Sequence, residues 1–349
     1  MLLNIFLFII GLIALFGGGR LLVTSTANVA SQLKVSSLII SLTVISFGTS
    51  APETFVSGLA AWRGNGEIVV GNVVGSNIFN ILLVVGLGAT LIPLQIKKMV
   101  IHWGIPWMLA VSLIFWGLSW RGSFYRYEGF LLLAGLFIYL YFAFRVGKKE
   151  PLPVKPTDSR NGIWLQIFWI IISIILLSWG SNRLIDSSIK LAKALHVSEF
   201  FISLLMIAIG TSLPELATTI MAISKKEYDI IVGNVVGSNI FNILGVMGIS
   251  IAVAPSPLLV PSKAITFDIP VMVACAIAAW PIFITGHKIS RWEGALFLFY
   301  YLLYVAYLIM RSENYAILPL FTTAFFFFIL PLTLITLLIT FFRHVHRNH

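Results

Sequence analysis

Residues 48–53 read Gly-Thr-Ser-Ala-Pro-Glu and lie inside an apolar run, between residues 37–47 and 54–62. A shift of 162 positions reaches Gly210, Thr211, Ser212, Leu213, Pro214 and Glu215, so five of the six residues recur. The same shift carries residues 71–80 (GNVVGSNIFN) onto 233–242, where all ten recur. The chain therefore places a carboxylate twice inside a hydrophobic span, each time beside a proline and two hydroxyls.

The surroundings of these motifs define the class of protein. Of 349 residues, 59% are hydrophobic and 10% charged, whereas soluble globular chains average about 25% charged. Apolar runs of membrane-spanning length follow one another from end to end, the pattern of a polytopic helical membrane protein. The net charge of +10 does not point to nucleic acid, because Lys and Arg fall in short clusters between apolar runs, as they do in cytoplasmic loops. A single cysteine, Cys275, excludes an internal disulfide framework. The N-terminal stretch MLLNIFLFIIGLIALFGGG lacks a basic n-region, and the repeat reaches back through Arg20, so it reads as a retained first span.

The expected spans are 3–30, 36–62, 68–94, 100–119, 127–145, 163–194, 199–223, 230–255, 265–285, 292–310 and 316–342. Residues 147–161, with Pro151, Pro153 and Pro156 among charged residues, read as a hydrophilic linker. The repeat extends beyond the two motifs. Arg20-Leu21-Leu22 resembles Arg183-Leu184-Ile185, Val35-Ser36 matches Val197-Ser198, and Arg126-Tyr-Glu128-Gly129 matches Arg291-Trp-Glu293-Gly294. Each half thus holds five corresponding spans. Because five is odd, the second half enters the membrane from the opposite side, giving an inverted-topology repeat of the kind found in many secondary transporters. The expected architecture is all-α: a first repeat over 1–145, a linker over 146–162, a second repeat over 163–310, and an extra helix with a basic tail over 311–349. With the N-terminus outside, inner loops and the C-terminal tail hold fourteen Lys and Arg against seven in outer loops. That bias predicts an N-terminus outside and a cytoplasmic C-terminus, in the plasma (inner) membrane.

Glu53 and Glu215 lie near the middle of their spans, where an acidic residue costs roughly 2.5–3.5 kcal/mol on insertion scales. Such residues face cavities and serve ion or proton pathways; the structural alternative is a protonated Glu in an interhelical hydrogen bond. Pro52 has no N–H and its ring clashes with the carbonyl four residues earlier, so the carbonyl of Gly48 loses its helical partner. Pro214 does the same to Gly210. Freed carbonyls at this depth need protein, water or an ion, and here they lie beside Thr49, Ser50, Thr211 and Ser212. Carbonyls, hydroxyls and carboxylates are the hard oxygen ligands that suit Ca²⁺ and Na⁺, although hydroxyls also bond back to their own helix. Asn72, Ser76 and Asn80 are four apart and form one polar stripe, repeated by Asn234, Ser238 and Asn242. Gly71 and Gly75, like Gly233 and Gly237, have the small-xxx-small spacing that lets membrane helices approach. Arg20 and Arg183 read as structural, Arg183 pairing with Asp186.

G-T-S-x-P-E followed by G-N-V-V-G-S-N-I-F-N, twice, in inverted halves of five spans, resembles the cation/calcium antiporter superfamily and, within it, the Na⁺/Ca²⁺ exchanger family. The resemblance covers the chain to about Met310. It implies a cluster of cation sites at the midplane, with Glu53 and Glu215 as the shared carboxylates. Thr49, Ser50, Thr211, Ser212, Ser76, Ser238, Asn80 and Asn242 would complete the shell, with backbone carbonyls near Ser46 and Ala208. Some exchangers of the family carry Asp in one half where this chain has Asn80 and Asn242; with Asn in both, its site holds two formal charges rather than three. The proton-coupled branch has a Glu where this chain has Gly75 and Gly237. The expected function is secondary active antiport, Na⁺ for Ca²⁺, with the lipid bilayer as surroundings, no cofactor and no inferred protein partner. Ca²⁺/H⁺, Na⁺/H⁺ or K⁺-linked exchange at the same carboxylates is the alternative. An enzyme is not expected, since neither a P-loop nor an H-E-x-x-H motif occurs.

Overall fold

The computed structural model of the chain describes residues 2–33, 35–147, 162–194, 210–312, 317–324 and 330. In order, its helices are α1 (Leu2–Leu33), α2 (Ser37–Thr49), α3 (Ala51–Trp62), α4 (Gly66–Leu91), α5 (Val100–Ser119) and α6 (Arg126–Gly147). They continue with α7 (Ile163–Ala194), α8 (Leu213–Lys225), α9 (Tyr228–Val253), α10 (Ala264–His287), α11 (Arg291–Ser312) and α12 (Leu318–Ala324). Eight of them are long and apolar enough to cross a membrane, and α2 with α3, bent by 45°, makes a ninth span. The seventh and eleventh expected spans lie partly outside the described residues, which include α8 of the former and α12 of the latter.

Proline chemistry sets four of the irregular turns; widened turns at Ser41–Ile45, Asn80–Val85 and Asn242–Met247 form without one. The break before α3 falls at Ser50 (φ −82°, ψ 8°) and that before α8 at Ser212 (φ −92°, ψ 8°), two residues ahead of Pro52 and Pro214. Each proline sits in the first turn of the next helix, where its missing N–H has no partner to lose. The sequence reading missed a second pair of irregular turns. At Val100–Gly104 and Ala264–Asp268 the helix widens to i→i+5 bonding just before Pro106 and Pro270. Those prolines cannot donate to the carbonyl four residues back, and the turn opens.

Helices α4 and α9 occupy the centre, buried over 78% and 89% of their spans, against 22% for α6 and α11. Each peripheral helix leans on the central helix of the other half: α6 on α9, and α11 on α4. The matched Arg-x-Glu-Gly sequences make this possible. Glu128 accepts the Tyr125 N–H at 2.8 Å and Glu293 the Ser290 N–H at 2.7 Å, capping α6 and α11. The Arg126 guanidinium donates to the Ala254 carbonyl (2.8 Å) and that of Arg291 to the Leu91 carbonyl (3.4 Å). Both arginines thus place positive charge at the C-terminal end of the opposite half's helix, where it is favourable. The glycines permit the close crossing. A Cβ on Gly129 would lie 2.7 Å from the Ala252 nitrogen and the Gly248 carbonyl, and one on Gly294 would lie 2.7 Å from the Thr90 nitrogen.

Short strands bind the halves at both ends. Leu94–Gln95 (β1) pairs antiparallel with Lys288–Ile289 (β4), and Ser123–Phe124 (β2) with Leu258–Leu259 (β3). Lys97 forms an ion pair with Asp229 at 2.6 Å, which brings the start of α9 to the end of the molecule that holds β1. The expected pairing of Arg183 with Asp186 is absent; Arg183 lies 5.8 Å from the centroid of the Trp179 ring. An exposed ion pair contributes little, and a guanidinium stacks well on an indole face.

Two outcomes follow. In a Cys275→Ser background, single cysteines at positions 98 and 226 should react with an impermeant thiol reagent from one side of the membrane and a cysteine at 263 from the other; labelling of 98 and 226 from opposite sides would contradict the Lys97–Asp229 ion pair. Gly129→Val should force α6 off α9, lowering stability by about 1–3 kcal/mol, read as a reduced melting temperature of the detergent-solubilised protein.

Candidate functional site

Because α3 starts at residue 51 and α8 at residue 213, Glu53 and Glu215 both fall in a first turn. The free N–H groups and the positive dipole end of a helix favour an anion there, which offsets part of the cost of burial. Both glutamates are wholly buried. Each is met by hydroxyls from the break in the other half: Ser212 Oγ donates to Glu53 Oε1 at 3.1 Å, and Ser50 Oγ to Glu215 Oε1 at 3.4 Å. Ser238 Oγ adds a second contact to Glu215 Oε1 at 3.4 Å. The two carboxylates are held by one crossed network.

The polar stripes of α4 and α9 close this network, again across the halves. Thr211 Oγ1 donates to Asn72 Oδ1 (2.8 Å) and touches Ser76 Oγ (3.4 Å). Thr49 Oγ1 donates to Asn234 Oδ1 (3.2 Å) and touches Ser238 Oγ (3.3 Å). The symmetry is imperfect. The Asn72 amide donates to Ser57 Oγ at 2.8 Å, while the counterparts Asn234 Nδ2 and Thr219 Oγ1 have no partner. Gly233 and Gly237 pack where their spacing predicts: a Cβ on Gly233 would lie 2.8 Å from Ser41 Cβ, and one on Gly237 would meet Ser46 Oγ and lie 2.7 Å from the Leu42 carbonyl oxygen, so α9 touches the backbone of α2. Among the described residues nothing lies within 4 Å of a Cβ built on Gly71 or Gly75.

Two of the remaining expected ligands, Ser46 and Gly210, have protein partners. Ser46 Oγ reaches the Ser41 and Asn234 carbonyls (2.7 and 3.1 Å), and the Ser46 carbonyl accepts the Ser50 N–H at 3.0 Å. The freed Gly210 carbonyl accepts from Ser181 Oγ of α7 at 2.8 Å, a partner that the sequence reading did not anticipate. Gly48 is where α2 meets α7, since a Cβ there would stand 2.7 Å from Ile174 Cδ1. Ala208 lies outside the described residues. Asn77 and Asn239, which the sequence reading passed over, join the centre through hydrogen bonds to Asn242 (3.0 Å) and Asn80 (3.1 Å). They stand one position beyond Ser76 and Ser238, off the four-residue stripe, and so escaped a search by spacing.

Once these bonds are assigned, four carboxylate and amide oxygens remain among the described residues, beside the unpartnered hydroxyls of Thr218 and Thr219 on α8. Glu53 Oε2, Glu215 Oε2, Asn80 Oδ1 and Asn242 Oδ1 are buried and have no hydrogen-bond partner. They form two repeat-related pairs, and all four are acceptors. Leaving one such group unsatisfied costs about 1–3 kcal/mol, so four together are a substantial local instability. A cation meeting several of them would relieve it.

Comparisons with known proteins identify the family. A sequence profile for the family described as "Sodium/calcium exchanger protein" matches residues 3–145 and 165–310. The sodium/calcium exchanger MaX1 of Methanosarcina acetivorans is 30% identical over 348 residues, covering 88% of this chain and 98% of MaX1. The inner membrane protein YrbG of Escherichia coli is 35% identical over 266 residues, covering 73% of this chain and 81% of YrbG. Among solved structures, the sodium-calcium exchanger NCX_Mj soaked with Na⁺ and Sr²⁺ superposes with a TM-score of 0.76 at 30% identity, over 87% of this chain and 98% of that one. Two inverted helix breaks, each with its glutamate, and a family profile that covers both halves lead to one assignment: the chain belongs to the sodium/calcium exchanger protein family.

Proposed function

We propose that this chain is a secondary active antiporter that exchanges Na⁺ for Ca²⁺ by alternating access at a single midplane site. The observation that carries the proposal is the set of four unpartnered buried acceptors, Glu53 Oε2, Glu215 Oε2, Asn80 Oδ1 and Asn242 Oδ1. Carboxylate and amide oxygens are the ligands that hard cations take. The hydroxyls of Thr49, Ser50, Thr211, Ser212, Ser76 and Ser238 surround them and complete the shell, with backbone oxygens at Ser46, Gly48, Ala208 and Gly210. The names of MaX1 and NCX_Mj support Na⁺ and Ca²⁺ as the exchanged pair.

The physics of exchange is competition. Two carboxylates close together in a low-dielectric centre cannot both stay ionised without cations. Either one Ca²⁺ or a set of Na⁺ ions neutralises them, and a site that reorients only when neutralised couples the two fluxes. A tenfold Na⁺ gradient supplies roughly 1.4 kcal/mol per ion, and 100 mV about 2.3 kcal/mol per net charge moved, so several Na⁺ can drive one Ca²⁺ uphill. In this reading residues 1–145 and 163–310 are the two inverted repeats, 146–162 is the linker, and 311–349 is an added helix and basic tail. The N-terminus lies outside and the C-terminus in the cytoplasm, with the protein in the plasma (inner) membrane.

The test is ⁴⁵Ca²⁺ uptake into proteoliposomes loaded with Na⁺, K⁺ or neither, at clamped pH and with an imposed pH step. Uptake should require internal Na⁺. Uptake that follows K⁺ or the pH step instead would reassign the counter-ion. Glu53→Gln and Glu215→Gln should each reduce Na⁺-dependent uptake to background while leaving a monodisperse protein, because an amide oxygen only partly replaces an anionic ligand; near-normal exchange by either variant would make that carboxylate structural.

A further inference from the structure

Asn77 and Asn239 belong to the repeated ten-residue motif, yet neither bonds to a glutamate. Each reaches across to the other's helix, and the orientation of both amides follows from a fixed root. The main-chain carbonyl of Asn239 and the thioether of Met272 can only accept. The part of the Asn77 side chain lying 3.4 Å from each is therefore its NH₂ group. Its oxygen then points to Asn242, at 3.0 Å, and must be met by a donor. Asn242 supplies its NH₂, which leaves Asn242 Oδ1 without a protein partner. The mirror chain starts at the Asn77 carbonyl and Met108 Sδ, 3.4 and 3.5 Å from Asn239 Nδ2. It ends at Asn80, whose NH₂ meets Asn239 Oδ1 at 3.1 Å and whose own Oδ1 is unpartnered. All four asparagines are buried, so no solvent is at hand to let an amide turn over.

We propose that Asn77 and Asn239 are positioning residues for ion binding. They turn the amide oxygens of Asn80 and Asn242 out of the clasp and toward the ions, and they demand a hydrogen-bond donor at positions 80 and 242. The inference rests on the site proposed above and deepens it. An ionised aspartate at 80 or 242 would set two acceptors against each other at 3.1 or 3.0 Å in a buried place, at the cost of an unmade hydrogen bond. The clasp thereby holds the site at two carboxylates, the charge that one Ca²⁺ balances. Turning the Asn77 or Asn239 amide over to accommodate an aspartate would point its oxygen at a backbone carbonyl and a sulfur, so the restriction cannot be relieved locally.

The experiment measures equilibrium ⁴⁵Ca²⁺ binding to the purified full-length chain carrying Asn80→Asp, Asn239→Leu, both, or Glu53→Gln. Asn239→Leu should weaken binding roughly tenfold by freeing the Asn80 amide to rotate, and Asn80→Asp by a similar factor because its carboxyl must keep a proton opposite Asn239 Oδ1. The double variant should bind more tightly than either single one, since removing the opposing oxygen lets the new carboxyl ionise. Losses that add would overturn the proposal, because a merely structural asparagine predicts them. Infrared difference spectra between the Ca²⁺-saturated Asn80→Asp and unsubstituted proteins give an independent reading: an added protonated carboxyl band at neutral pH is expected, and its absence would overturn the proposal even if Asn239→Leu fails to fold. If Glu53→Gln leaves Ca²⁺ binding unchanged, the site itself is misplaced and this inference falls with it. If Glu53→Gln abolishes binding while the other losses add, only the positioning role fails.

Discussion

Two buried carboxylates, each held by a serine of the opposite half, are the constraint that the rest of the molecule serves. An isolated carboxylate in so apolar a surrounding is unstable as an anion, and the fold offsets this by several means at once. The helix breaks put Glu53 and Glu215 in first turns, at the positive end of a dipole. The crossed Ser212 and Ser50 hydroxyls satisfy one oxygen of each. The second oxygen of each has no hydrogen-bond partner among the described residues, and under the proposed function a cation would complete it. A binding site that were fully satisfied without its ion would have no reason to release a competitor in exchange for it.

Much of this architecture could be read from the residues. The inverted repeat, the breaks ahead of Pro52 and Pro214, and the polar stripes beside them follow from local chemistry and a fixed offset. Much of what escaped the reading depended on partners in other elements of the fold. Arg126-x-Glu-Gly and Arg291-x-Glu-Gly register in the sequence only as a marker of the repeat; in the fold they cap one helix, neutralise the end of another and admit a close crossing. Asn77 and Asn239 lie off the stripe that spacing singles out, because they face the crossing of α4 and α9. The freed Gly210 carbonyl was open to an ion in the sequence, but Ser181 of a different helix reaches it. The widened turns ahead of Pro106 and Pro270 looked like ordinary span starts, since a proline near a helix N-terminus announces a boundary more readily than a defect. Asn72 and Asn234 have identical neighbours in sequence, yet only one of them has its NH₂ satisfied. Identical motifs do not make identical environments when the two halves meet unlike partners.

The interlocking of the halves has a consequence for how the chain is made. Gly129 has its matching backbone at Gly248 and Ala252, and Arg126 has its carbonyl at Ala254; β2 finds its partner at Leu258–Leu259. At ribosomal speeds of about 5–20 residues per second, the first half waits on the order of ten seconds in the bilayer with these surfaces unmatched. Through that interval its small-residue faces meet only lipid or other proteins, and the membrane must tolerate an assembly intermediate with no stable partner. Carrying both halves on one polypeptide shortens the wait: the tether keeps the second repeat at high local concentration beside the first from the moment it inserts. Expressed as separate polypeptides, the two halves would have to find each other by lateral diffusion, each exposing the glycine seams meant for the other.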